Sequence, residues 1–148
     1  MKDQQAFQGV SGKKQLAAAS LHMSGADYSK RSMSIRPVNG WYLLREGERT
    51  VLCRRYPAQF DFDASTIFPN AHPVRLAHQI RQDMWRKLQN VRGFSPVVQI
   101  THMAEGLHVK AGGRVSGRVT RHMTEQVGAV LDDPKNRARW LRCAKGNQ

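Results

Sequence analysis

Between Pro73 and Arg92 the residues Arg75, Gln79, Gln82, Arg86 and Gln89 recur at steps of four, three, four and three, which sets them in one row along a helix. His78, Arg81, Trp85, Gln89 and Arg92 line the adjoining flank. A guanidinium forks onto phosphate oxygens and onto the acceptor edge of guanine, and the amide of Gln matches adenine, so this row suits phosphates and base edges. Asp83 is the one acid in the stretch, against five Lys and Arg. A second group follows Pro134, where Lys135, Arg137, Arg139, Arg142 and Lys145 occur with no acid among them. Trp140, beside Leu141, reads as a core anchor within that group. Arg114, Arg118 and Arg121 lie near Gly112-Gly113, where glycines and a helix start can offer backbone amides to phosphate, and extend the same chemistry.

The whole chain agrees with these local signals. Its formal charge is +13, from 24 Lys and Arg against 11 Asp and Glu, and Arg outnumbers Lys sixteen to eight. A field of that sign draws polyanions and raises the rate of encounter with them. DNA or RNA is therefore the expected partner, and an acidic protein surface docked by an adaptor or inhibitor is the alternative. The expected role is non-catalytic, resting on cations that stand open to solvent and are not needed to hold the fold.

Other chemistries find weaker support in the residues. The six histidines lack the His-Glu-x-x-His spacing that converges on one ion, and no Cys-x-x-Cys occurs. Asp61 and Asp63, two apart on an extended segment, together with Glu105 and Lys110, are the set a small metal-dependent nuclease would use, and that is the enzyme alternative. No phosphate-binding glycine loop and no serine nucleophile elbow is present. No catalytic residue, metal ligand or cofactor is nominated on these grounds. Cys53 and Cys143 each fall in an apolar pattern and read as reduced thiols packed as small hydrophobes, which suits the cytoplasm. No apolar run approaches the ~18 residues of a membrane span, so no membrane partner is expected.

These residues must be carried by regular elements, and the pattern predicts an α+β fold. Residues 1–34, rich in Ser, Gly, Gln, Lys and Ala, read as a flexible basic leader, and 35–148 as one α+β domain. Within the domain, Trp41 to Leu44 and Thr50 to Tyr56 flank Gly47 as a β-hairpin. Phe60 and Phe62 are expected on one face of a short extended piece, with Asp61 and Asp63 on the other. Ala77, Ile80, Met84, Leu88 and Val91 form the apolar stripe of a helix from Pro73 to Val91, stopped at Gly93. A second hairpin runs from Ser95 to Ala111, broken by Gly112-Gly113. A helix over Gly117 to Leu131 follows, and a last helix starts at Pro134 behind the cap Asp133. The expected order is ββαββαα: an antiparallel sheet from two β-hairpins with helices packed on one face. An uncovered edge strand would permit a homodimer.

Overall fold

The computed structural model describes residues 33–145. The leader read over residues 1–34 lies outside these, except Met33 and Ser34, which open the first strand. Six strands and three helices follow: β1 (Met33–Val38), β2 (Trp41–Glu46), β3 (Arg49–Cys53), β4 (Phe62–Phe68), α1 (Pro73–Leu88), β5 (Ser95–Met103), β6 (Gly106–Arg114), α2 (Arg121–Asp132) and α3 (Pro134–Lys145). The strands form one antiparallel sheet in the order β1-β2-β3-β5-β6-β4, and the α+β class is the expected one. The element order is ββββαββαα, because two strands join the expected four.

Both extra strands have local causes. Asn39 and Gly40 hold positive φ, at 50° and 86°, and close β1 onto β2 with an Asn-Gly turn, the strongest two-residue hairpin signal a sequence can carry. β4 continues the phenylalanine segment through Thr66 and Ile67, whose β-branched side chains favour an extended backbone against β6. The two phenylalanines do not share a face. Phe62 enters the main core, whereas Phe60 precedes the strand and packs with Val51, Cys53 and Val97 on the opposite side of the sheet.

The glycine pair has a different role from the break expected of it. Gly112 and Gly113 lie inside β6, where a Cβ would run into the backbone of Phe62 and of Ser95. They keep the strand paired on both sides where its neighbours press closest. α2 correspondingly begins at Arg121, not Gly117, with Thr120 as its cap: the Thr120 hydroxyl accepts from the Met123 amide at 3.3 Å. Val119, read as the start of that helix's apolar stripe, is exposed ahead of it. α1 ends at Leu88, three residues short of the expected stop, and α3 starts at Pro134, where Asp133 accepts from the Lys135 and Asn136 amides.

Alternation along the strands divides the sheet into two unlike faces. Leu43, Leu52, Val98 and Ala111 stand side by side in one row and meet the apolar stripe of α1. The other face carries the small Val51, Cys53 and Val97 cluster, and burial there pushes the Cys53 thiol up to about 11. Cys143 is exposed instead of packed, because α3 turns Trp140 and Ala144 inward and leaves Arg142 and Cys143 outside. The helices cover β3 to β6, while β2 reaches only the edge of that layer through Leu43 and Trp41. Among the described residues no helix is long and apolar enough to cross a membrane.

What docks α3 on α1 is a buried carboxylate. Asp83 is 8% exposed and accepts from the Trp140 indole N–H at 2.6 Å, from Arg139 at 2.7 Å and from Arg86 at 2.7 Å. Trp140 in turn lies against Phe68, with ring centroids 6.4 Å apart. Removing the carboxylate strands a buried indole donor and leaves two guanidinium groups uncompensated. Asp83→Ala is expected to lower unfolding stability by about 2–3 kcal/mol, measured by urea denaturation. A loss within about 0.5 kcal/mol, the usual size of a surface substitution, would show that α3 is held by apolar packing alone.

Candidate nucleic-acid interface

The structure sorts the cations into those it consumes and those it leaves free. Arg86 and Arg139 are consumed by Asp83. Arg137 is consumed more completely. It lies 4.9 Å from the centroid of the Phe68 ring and donates to the Thr66 hydroxyl at 3.1 Å, the Leu131 carbonyl at 3.0 Å and the Ile67 carbonyl at 2.7 Å. Substituting Arg86, Arg137 or Arg139 therefore perturbs the helix layer before it perturbs any ligand. Gln89 turns back along its own helix and donates to the Arg86 carbonyl at 3.3 Å.

Among the described residues Arg75, Gln79, Gln82, Arg92, Arg114, Arg118, Arg121, Lys135 and Arg142 have no side-chain partner in the fold. They are not one surface by sequence alone, but the chain gathers part of them. The Ser116 amide donates to the Arg92 carbonyl at 3.0 Å, joining the turn after α1 to the loop after β6. That contact brings Arg92 to the segment bearing Arg114 and Arg118. Gly93, at φ 71°, has no Cβ to collide with Ser116 there. Lys135 and Arg142 stand exposed on α3.

The densest cationic site is on residues that helix periodicity does not reveal. β1 and β2 project past the helices, so the side chains they turn toward the helix layer form an open ledge beside α1. Register places Arg36 opposite Leu43, Arg45 opposite Thr50, and Val38 opposite Trp41, all directed to that side. At the inner end of the ledge the Arg81 guanidinium of α1 lies 4.6 Å from the centroid of Trp41, and that of Arg54, just after β3, lies 5.4 Å from it. His78, one turn before Arg81, approaches it through Nδ1 at 3.5 Å. Among the described residues Arg36, Arg45, Arg54 and Arg81 form no ion pair.

The electrostatic consequence is visible in the titratable groups. Burial, and next the charge of Arg54, lower the pKa of Arg81. Burial, and next the charge of Arg81, lower that of His78. Two guanidinium groups are thus held near one another with no acid to balance them, and the Arg81 Nε is shielded from solvent with no acceptor. An anion at this point would relieve both costs. A single ring, Trp41, orients both groups, and cation–π contact uses the flat face of a guanidinium while leaving its N–H edge to fork a phosphate. The set is scattered in sequence because Arg36 and Arg45 belong to β1 and β2 and Arg54 follows β3; the available signal is strand alternation, which puts Trp41, Leu43 and Arg45 on one face.

The acidic set considered for metal chemistry is used differently. Asp61 accepts from the Val115 amide at 3.0 Å through one oxygen and from the Gln59 side chain at 3.0 Å through the other. Glu105 pairs with His108 at 2.8 Å on the β5–β6 hairpin, a bond that lowers the Glu105 pKa, and Lys110 lies 4.6 Å from the centroid of Phe60. Among the described residues no group of three or more His, Cys, Asp or Glu is placed to hold a metal ion. No protein-family model, curated protein or solved structure matches the chain.

The lowered pKa of His78 makes a pH signature. Its folded value lies below the ordinary 6.5, so as pH falls through 6.5 the unfolded chain takes up the proton first and the fold loses stability. Above about pH 7 this contribution is constant, since both states are neutral. His78→Gln is therefore expected to lose less stability than the native chain between pH 7.5 and 5.5, measured by urea denaturation at each pH. Equal losses would place the imidazole in an ordinary solvent environment.

Proposed function

We propose that the protein is a non-catalytic nucleic-acid-binding module that grips the phosphate backbone on the ledge formed by β1, β2 and the flank of α1. One observation carries the reading: Arg54 and Arg81 meet on Trp41, the register turns Arg36 and Arg45 to the same face of the sheet, and none of the four forms an ion pair among the described residues. Asp83 neutralises Arg86 and Arg139, whereas the ledge arginines have no ion pair among the described residues. Keeping the Arg54 and Arg81 guanidinium groups near one another without a counter-charge opposes folding, and a polyanion offsets that opposition on binding. Arg92, Arg114 and Arg118, gathered where two loops meet, supply flanking phosphate contacts. The cytoplasm suits two thiols that stand free, with no disulfide between them.

Backbone recognition has a measurable salt signature. With about six phosphate contacts, affinity for arbitrary sequence is expected to fall roughly a thousandfold between 50 and 200 mM salt, followed by fluorescence anisotropy. The triple variant Arg36→Gln, Arg45→Gln and Arg54→Gln is expected to reduce the slope of log affinity against log salt by roughly 3, while its thermal melting stays near that of the native chain. Native affinity and slope in that variant would reject the ledge as the contact surface.

A further inference from the structure

We infer that the ledge takes a single strand of nucleic acid, with an unpaired base stacked on Trp85 and the neighbouring phosphate held by Arg81 and Arg54. This rests on the reading of the ledge as a nucleic-acid surface and adds the class of substrate.

Trp85 follows Arg81 by four residues on α1, so both side chains lie on one flank of the helix, about 6 Å apart along its axis. The indole stacks on Phe94, with centroids 6.2 Å apart and planes inclined by only 9°. Phe94 is itself buried and leans on Phe62, at 5.9 Å between centroids. One face of Trp85 is therefore fixed against the core, and the residue remains 43% exposed. A large aromatic ring held rigidly from behind and open in front is a stacking platform, since every base has a π-face to place on it. The cationic pair one helical turn away supplies what a stacked nucleotide needs next: the forked N–H donors of Arg81 and Arg54, with no ion pair among the described residues.

The shape of the ledge points the same way. Its floor is β1 and β2, two strands at about 4.8 Å spacing and so roughly 10 Å wide, with α1 rising along one side. A duplex meets such an open step chiefly through its phosphate backbone. Its bases are also stacked on one another and give Trp85 no face. An unpaired strand can lay its backbone along Arg36, Arg45 and Arg54 and turn one base onto the indole.

The test compares labelled twelve-nucleotide single strands, DNA and RNA, with a hairpin duplex of matching sequence, using fluorescence anisotropy at fixed salt. Single strands are expected to bind at least tenfold tighter than the duplex. Trp85→Leu, which keeps apolar cover over Phe94, is expected to weaken single-strand binding roughly tenfold and leave the duplex unchanged. Trp85→Tyr, which preserves a stacking ring, is expected to retain most of the affinity and guards against a folding defect in the leucine variant, which thermal melting would reveal. Tighter duplex binding, or equal losses for both forms in Trp85→Leu, overturns the inference while leaving the nucleic-acid reading in place. Failure of every form to bind the native chain overturns that reading and the inference together.

Discussion

The Asp83 carboxylate organises the helix layer and, through it, the surface. A charge taken out of water is tolerated only when its oxygens are fully used, and Asp83 meets that condition with an indole N–H and two guanidinium groups at 2.6 to 2.7 Å. The donors come from α1 itself and from α3, so the same contacts that satisfy the acid clamp the last helix onto the first. They also pair Arg86 and Arg139 with an acid, although both side chains still reach solvent. In a chain with so few acids, the placement of one buried carboxylate decides which cations hold the fold and which remain available.

A second constraint is the mismatch between the sheet and its cover. Three helices span four strands, and the β1–β2 hairpin runs on beyond them. On the helix side this exposes Arg36, Trp41 and Arg45 beside the wall of α1. On the other side it leaves Met33, Ile35 and Tyr42 in solvent. The hairpin holds its place through Leu43, which is 1% exposed beneath α1, and through the Trp41 contact with Arg81. The site and the attachment of the hairpin thus share one residue, so the flank of α1 and the ledge are expected to move together or not at all.

Much of the architecture was legible from pattern. The α1 stripe, the second hairpin, the Asp133-Pro134 helix start and the inward Trp140 all follow from periodicity and capping, which act over a few residues. The errors came where local signals met tertiary crowding. Gly112-Gly113 looked like a break, but backbone from β4 and β5 passes too close there for a Cβ, a reason that lies tens of residues away in sequence. Asn39-Gly40 is a local turn signal, and the hairpin it closes adds β1 to the expected strands. For the site, the flank His78, Arg81 and Trp85 was visible on a helical wheel, whereas its companions on β1, β2 and β3 were not.

Composition alone establishes an excess of cations large enough to require an anionic partner or a large self-repulsion, because charge is a sum over residues and needs no coordinates. Periodicity alone establishes the helices and most strands, because hydrophobic spacing reports which side of an element is dry. Which arginines are spent and which are free is a different kind of property. It depends on whether a carboxylate or carbonyl from a distant segment arrives within about 3 Å of a given guanidinium. Arg137 and Arg81 look alike in sequence; folding gives one three oxygen acceptors and the other an indole, a second guanidinium and an unfilled donor.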